Sequence, residues 1–368
     1  MADKRYRVLG LMSGTSIDAI DVAFLETDGQ AYAKSLGFAT YPYTPEFRQK
    51  IRGFFGIQAA PNDARLTDIT REQTLLHAGA VKAFMATQGL AASDIDLIGF
   101  HGQTLWHSPA TRQTLQIGDG TLLAAETGIN VVYDFRTADV KAGGQGAPLV
   151  PLYHRALAAA LPKPLAILNI GGVSNITWIG GDGDNEILAY DVGPGNALID
   201  DWVLKHTGQP HDHDGAAAAL GVVDEVLLER YAQHPFFAAK PPKSLDRDAW
   251  GGFVPQGGSF EDGAATLTMM TVRGVELSLK HMLTKPQSIY VCGGGRHNKT
   301  MMRWLAERTR IAIHNVDVLG WDGDALEAEA FAYLAVRSVL GLPLSVPGTT
   351  GVPCSLTGGV LIQMQTVS

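Results

Sequence analysis

Leu9-Gly10-Leu11-Met12-Ser13-Gly14-Thr15-Ser16-Ile17-Asp18-Ala19-Ile20-Asp21-Val22-Ala23-Phe24-Leu25 reads as an apolar strand, a small polar turn and a second apolar strand. Gly14 lets backbone approach a ligand with no Cβ in the way. Thr15 and Ser16 bring hydroxyls, and the turn brings backbone N–H groups. A concave set of donors of this kind suits a phosphate. Asp18 and Asp21 follow at once, and either can face a metal ion carried by that phosphate. A Walker loop needs G-x-x-x-x-G-K-[ST] opening a helix; this turn has no lysine and runs into a strand. The plain alternative is a hairpin turn made of small polar residues.

The same plan returns at Pro164-Leu-Ala-Ile-Leu-Asn-Ile-Gly-Gly-Val-Ser-Asn-Ile-Thr-Trp-Ile-Gly180. The two turns, at Gly14 and Gly172, lie about 160 residues apart, and each opens one half of the chain. They suggest a duplicated α/β unit with a phosphate-facing hairpin from each half and a nucleotide in a cleft between them. The 368 residues suffice for two domains with proper cores. With 46% hydrophobic and 18% charged residues, the composition is that of a globular protein. A net charge of −8 with no basic block argues against nucleic acid as a partner. Cys292 and Cys354 give neither a disulfide framework nor zinc spacing. The first residues lack a signal-peptide pattern, and no apolar run approaches the roughly 20 residues that span a bilayer. The expectation is a cytoplasmic soluble protein with no membrane partner.

Several strand ends in the first half carry polar groups. Asp96–Phe100 is a short strand that delivers His101, Gln103, Thr104, Trp106 and His107. In open α/β sheets, ligands sit beyond the carboxyl ends of strands. These residues resemble a sugar site, or else a capping loop with a packed tryptophan. Val131–Arg136 is a strand ending in polar groups. Asp139 and the run Gly143-Gly-Gln-Gly-Ala-Pro148 follow, a linker or a ligand-approach loop. The expected domains are 1–140, 141–345 and a tail, 346–368, packing on the body.

In the second half, Glu186–Asp191 is a strand ending in an aspartate, followed by Gly193-Pro-Gly-Asn196 and a helix over 197–207. Asp191 is a candidate general base or a helix-capping residue. His211-Asp-His-Asp214 has metal-ligating atoms without a completing cluster, and reads better as a polar loop before a helix at 216–220. Pro241-Pro-Lys-Ser244, with Asp246, Arg247 and Asp248 beyond it, is a lid over an anion or a solvated connector. Ser288–Cys292 is a buried strand ending in Gly293, Gly294 and Gly295, where a flat ring such as adenine can lie close to backbone. Glu327 and Glu329 sit at the start of a helix over 325–339, where a carboxylate is favoured.

Met12-Ser-Gly-Thr-Ser-Ile-Asp18, His101-Gly-Gln-Thr104, the 143–148 run, Asn169-Ile-Gly-Gly-Val-Ser-Asn-Ile-Thr177, Asp191-Val-Gly-Pro-Gly-Asn196, Pro241-Pro-Lys-Ser244, Cys292-Gly-Gly-Gly295 and Asp324-Ala-Leu-Glu327 occur in register over residues 6 to about 340. Together they resemble the anhydro-N-acetylmuramic acid kinase family. The resemblance implies an actin-like, hexokinase-like ATPase fold with two α/β domains around a cleft, a homodimer, and a role in peptidoglycan recycling. It implies ATP and Mg²⁺, and an anhydro amino sugar whose 1,6-bridge is opened by water as O6 is phosphorylated. Gly14, Thr15, Ser16, Ile17, Asp18, Ala19, Ile20 and Asp21 would face the ATP phosphates, with Asp18 as metal ligand. Asn169, Gly171, Gly172, Ser174 and Asn175 would form the second phosphate hairpin, and Gly293–Gly295 would border the adenosine. Asp191 would be the catalytic base. His101, Gln103, Thr104, Gly195, Asn196 and Glu327 would hold or orient the sugar. The sequence departs from the family at Ile17 (usually leucine), at Ala19 (usually glycine), and at Leu-Asp-Arg-Asp after Ser244, where many members have Thr-Gly-Arg-Glu. Alternatives are a kinase of another hexose or amino sugar and a non-catalytic, actin-like ATP-binding module.

Overall fold

A computed structural model describes residues 4–14, 16–58, 63–244 and 247–364. Thr15, Leu245 and Asp246 lie outside the described residues, as do the side chains of Arg247 and Asp248. The chain divides into two compact units, Met1–Ala160 with Ala325–Ser368, and Leu161–Asp324.

In the first unit, β1 (Tyr6–Met12) and β2 (Ala19–Thr27) form the expected antiparallel hairpin, and β3 (Ala33–Pro42) extends it antiparallel to β2. β4 (Leu97–Phe100) runs parallel to β1 on its other side. β5 (Gln103–Ser108) and β6 (Gln113–Ile117) make a separate two-stranded antiparallel ladder. β7 (Val131–Tyr133) runs parallel to β4.

The second unit repeats the order. β8 (Leu165–Ile170), β9 (Val173–Ile179) and β10 (Ile187–Pro194) are antiparallel neighbours; β11 (Ser288–Cys292) pairs parallel to β8, and β12 (Ala312–Asn315) parallel to β11. The sheets therefore run β3-β2-β1-β4-β7 and β10-β9-β8-β11-β12. This is the duplicated α/β plan of the expected actin-like class. Central β1 and β8 are largely apolar because both faces are covered. Each unit has its own core, one around Leu9, Ile69, Phe84 and Phe100 and the other around Trp178, Tyr190, Met270 and Val291.

The domain boundary differs from the one expected at 140–150. The helix Leu326–Val339 packs on β1, β2 and β4 of the first unit. Two glycines on the paired central strands admit it: a Cβ on Gly10 would lie 1.8 Å from the Ala328 carbonyl oxygen, and one on Gly99 would lie 2.1 Å from that of Phe331. The helix backbone thus rests directly on the sheet, and Phe331, Leu334 and Val336 are buried there. Burial of a side chain of this size contributes about 1.5–3 kcal/mol. β13 (Val360–Ile362) then pairs antiparallel with β7, so residues from 325 onward belong with the first unit. Among the described residues no helix is long and apolar enough to cross a membrane.

Candidate active site

The first-unit turn is held from below. Gln103 is fully buried: its Oε1 accepts from Ser13 Oγ at 2.6 Å, and its Nε2 donates to the Gly14 carbonyl at 3.1 Å. Tyr43 Oη donates to Ser13 Oγ at 3.1 Å. Gln103 therefore braces the turn, and its side chain is not open to a sugar. Around Gly14 the space that a Cβ would take holds only Ser16 Oγ, at 3.6 Å, so a ligand can come close. Ile17 and Ile20 point into the core and can serve a ligand only through backbone. Ala19 is an ordinary strand residue, whereas Ile17 takes φ 54°, a left-handed angle rare for a β-branched residue. The left-handed backbone of this turn therefore falls at Ile17 and not at Ala19.

Asp18 is exposed and accepts from Arg48 Nη2 at 2.8 Å. Asp21 accepts from Thr40 Oγ1 at 2.8 Å and acts electrostatically on Glu327. No cluster of three histidine, cysteine or acidic residues that could hold a metal occurs among the described residues.

Beyond the ends of β4 and β7 lies a group that sequence reasoning did not assemble. Arg136 Nε donates to His101 Nε2 at 2.9 Å, and Arg136 Nη1 donates to the Gly146 carbonyl at 2.6 Å. An arginine Nε–H only donates, so His101 Nε2 accepts and its proton sits on Nδ1, facing the Gly102 carbonyl at 2.9 Å. Burial, with the Arg136 charge beside it, holds His101 neutral, well below its ordinary pKa. Its ring lies against Phe331, with centroids 4.6 Å apart. His101, expected to hold or orient the sugar, supports Arg136 here. Burial lowers Arg136 to about 10, while Glu327 and Asp139 favour its charge. Glu327 keeps open surface, yet desolvation by the protein around its carboxyl raises its pKa; Arg136 opposes this shift and Asp21 reinforces it. Thr104 is half-buried and accepts from Gln116 Nε2 at 3.2 Å.

The second-unit turn, Gly171–Gly172, is held by backbone. The N–H groups of Gly195 and Asn196 reach the carbonyls of Gly172 and Gly171 at 3.0 and 2.7 Å, and Asn196 Nδ2 donates to the Ile170 carbonyl at 3.1 Å. A Cβ on Gly195 would strike the Gly171 carbonyl oxygen at 2.2 Å. Gly195 and Asn196 thus shape the hairpin. Ser174 is buried, and its Oγ donates to the Pro194 carbonyl at 3.1 Å. Asn169 and Asn175 face each other across the hairpin ladder.

Asp191 stands at an irregularity near the end of β10, where the register with β9 shifts between Asp191 and Gly193. Such bulges re-aim side chains next to functional sites. Its N–H donates to the Lys243 carbonyl at 3.0 Å. Asp191 is no cap for the helix Ala197–Thr207, whose N-cap residue is Asn196. Lys243 Nζ donates to the Phe236 carbonyl at 2.8 Å and lies 4.1 Å from the Phe236 ring centroid. Burial lowers Lys243 to about 8, helped by Lys280 and opposed by Asp191.

Of the glycine triplet, Gly293 and Gly295 pack tightly on Asn169 and Ile170, so only Gly294 faces open space. It lines a cavity of about 460 Å³ together with Asn196, Ile199, Asp200, residues 211–214, His297 and Asn298. This size accommodates a nucleoside. The His211–Asp214 loop is a cavity wall, and the sequence alone did not connect it to the triplet. Asp212 caps the helix Ala216–Leu220 by accepting from the N–H groups of Ala217 and Ala218 at 2.9 and 3.0 Å, and Asp214 accepts from Lys299 at 2.6 Å. Their carboxylates act as structural groups, in keeping with a polar loop.

A family model described as anhydro-N-acetylmuramic acid kinase matches residues 6–363. The chain is similar to an anhydro-N-acetylmuramic acid kinase of Paramagnetospirillum magneticum, 51% identical over 356 residues, covering 95% of this chain and 98% of that protein. It is likewise similar to one of Rhizorhabdus wittichii, 48% identical over 356 residues and covering 96% and 97%. Among solved structures, component A of (R)-2-hydroxyglutaryl-CoA dehydratase from Acidaminococcus fermentans is 12% identical, with a TM-score of 0.49, covering 90% of this chain and 99% of that chain.

Proposed function

Because the chain belongs to the anhydro-N-acetylmuramic acid kinase family, and is therefore a kinase that uses ATP, we propose that it opens the 1,6-anhydro ring of 1,6-anhydro-N-acetylmuramic acid with water and phosphorylates O6. The products are N-acetylmuramate 6-phosphate and ADP, and the setting is cytoplasmic recycling of peptidoglycan. The structural observation that carries this reading is Asp191, a strand-end carboxylate at a bulge whose backbone is pinned by Lys243.

In this reaction Asp191 accepts a proton from water as the water oxygen bonds to the anomeric carbon. The C1–O6 bond breaks, O6 takes its electron pair to the γ-phosphorus, and ADP departs. The departing oxygen passes directly to phosphorus, so no separate acid is needed. Positioning supplies much of the remaining acceleration. The second unit offers its cavity for the nucleoside and the Gly171–Gly172 hairpin for phosphate. The first unit offers the turn at Gly14. Arg136 meets the carboxylate of the sugar's lactyl arm, and Glu327 accepts from a sugar hydroxyl. Mg²⁺, when bound, neutralises charge on the phosphates. It is commonly held by one or two carboxylates plus phosphates and water. Asp18, exposed and paired with Arg48, and Asp21, bonded to Thr40, are the carboxylates beside this turn that would hold it.

The test is turnover of 1,6-anhydro-N-acetylmuramic acid with Mg-ATP in ¹⁸O-labelled water, read by mass spectrometry. A phosphorylated sugar with one heavy oxygen at the anomeric position is expected. Phosphorylation of another hexose alone would overturn the substrate, and ATP-dependent filament growth without sugar turnover would overturn the reaction.

A further inference from the structure

Asp139 is 2% exposed and lies outside every group assigned above to ligand or chemistry. It follows Arg136 on the short helix Thr137–Lys141. Its Oδ1 accepts from the Gly146 N–H at 2.6 Å, and its Oδ2 accepts from Thr350 Oγ1 at 2.6 Å. The Gly146 carbonyl accepts from Arg136 Nη1, and Arg136 Nε donates to His101. A continuous chain of short hydrogen bonds therefore runs from Thr350 through Asp139, Gly146 and Arg136 to His101. The Gly143–Pro148 loop is the middle of that chain. It is held further by the Gly144 N–H on the Asp139 carbonyl (2.9 Å), by the Gln145 N–H on the Thr350 carbonyl (2.7 Å), and by His107 Nε2 on the Gln145 carbonyl (2.9 Å).

Two features say that this chain does more than order a loop. First, a buried carboxylate is a costly way to tie down a glycine N–H, because its charge must be desolvated. A neutral amide would accept the same bond at less cost. The charge is balanced by the guanidinium that the loop holds, since Asp139 and Glu327 both favour protonated Arg136. Second, Arg136 is fixed by Nε and Nη1 together, so its plane cannot turn without breaking both bonds. Nη2 makes no hydrogen bond among the described residues, and that edge remains for a ligand.

We propose that Asp139 is a positioning residue for sugar binding: through Gly146 it sets the plane of Arg136, and through Arg136 it fixes the proton of His101 on Nδ1. The link to sugar rests on the reading of Arg136 as the receptor of the substrate's carboxylate. Thr350, far along the chain, is the outer anchor of the same device.

The test uses the full-length protein with Asp139→Ala, Asp139→Asn and Thr350→Val. Asp139→Ala is expected to raise KM for 1,6-anhydro-N-acetylmuramic acid about tenfold while KM for ATP stays within about twofold, because misplacement affects the group it misplaces. Asp139→Asn can still accept from Gly146 but lacks the charge that favours Arg136, and is expected to recover only part of that loss. Thr350→Val is expected to shift sugar KM in the same direction and by less, with a double variant less than additive. Equal changes in both KM values would reduce Asp139 to a structural residue and overturn the proposal, as would no change in either. A second readout needs no substrate. The ¹⁵N shifts of the His101 imidazole, assigned with His101→Gln, are expected to show a fixed Nδ1–H form in the wild type and mixed tautomers in Asp139→Ala. Unchanged shifts overturn the coupling even if the sugar assignment holds. If the wild type ignores this sugar, the family reaction fails for the chain, and the imidazole shifts still decide the coupling. Should Asp139→Ala fail to fold, Asp139→Asn and Thr350→Val carry both readouts.

Discussion

The two hairpin turns share a plan and differ in how they are built. The Ser13–Asp18 turn is braced by side chains from distant elements, Gln103 and Tyr43, and contains a β-branched residue at φ 54°. The Gly171–Gly172 turn is braced by the backbone of the following segment, through the N–H groups of Gly195, Asn196 and Ala197. The first is thus specified by tertiary packing, and the second by its own strand and the turn after it. A duplicated topology does not require duplicated means. Where side chains do the holding, single substitutions reach the turn from distant elements; where backbone does most of it, the sensitive positions are the glycines and Asn196, whose side chain adds one bond.

The largest expected effect separates the chemistry of the second unit from the binding groups of the first. Asp191→Asn keeps the shape of the strand end and removes the base, so turnover is expected to fall by about 10²–10⁴-fold while ATP affinity, measured calorimetrically, stays near wild type. Near-normal turnover would break the division. A medium effect concerns acid. In the first unit burial holds His77 at about 4 and His154 at about 3, and it holds His101 well below its ordinary value. The unfolded chain takes up protons as pH falls through about 6.5, while the folded unit does not until far lower. The unfolded state then binds more protons, so stability is full above neutrality and falls as pH drops toward 4. At pH 5, His77 and His154 each cost about 2 kcal/mol. The second unit has His281, lowered by burial but only half-buried. Amide exchange at pH 7.5 and pH 5, corrected for intrinsic rates, is expected to show protection lost mainly in the first unit; equal loss would erase the contrast. The smallest effect lies in the first turn itself. Ile17→Leu conserves volume and removes the β-branch from a left-handed residue, so denaturation midpoints are expected to rise by the equivalent of about 0.5–1 kcal/mol. A fall would mean that packing of the Ile17 methyls outweighs the backbone strain.

Both hairpins were legible because an apolar run, a small polar turn and a second apolar run have few other solutions. The helices that begin after Asp63 and Asn298 carry capping residues of the usual type, and both side chains cap in the structure. Roles were harder. Gln103, Gly195 and Asn196 carry groups that look alike in sequence whether they meet a sugar or clamp a turn, and the structure uses them as clamps. Arg136 sits at the end of a strand segment correctly read as polar-tipped, but its partners His101 and Gly146 come from separate loops. The return of the chain after residue 324 was illegible for the same reason. Gly10 and Gly99 look like ordinary strand glycines until a helix from the far end of the chain is laid across them.

That returning helix also sets an order on biosynthesis. The ribosome delivers β1 and β4 early, yet the element that covers their glycine-lined face is Leu326–Val339. The second unit, Leu161–Asp324, is by then fully synthesised. At about 5–20 residues per second, the first unit waits roughly ten seconds or more with part of its core uncovered, while its later-made neighbour can already be complete. A chain that ends before residue 325 would therefore contain the whole second unit and a first unit without the helix that covers its glycine-lined face.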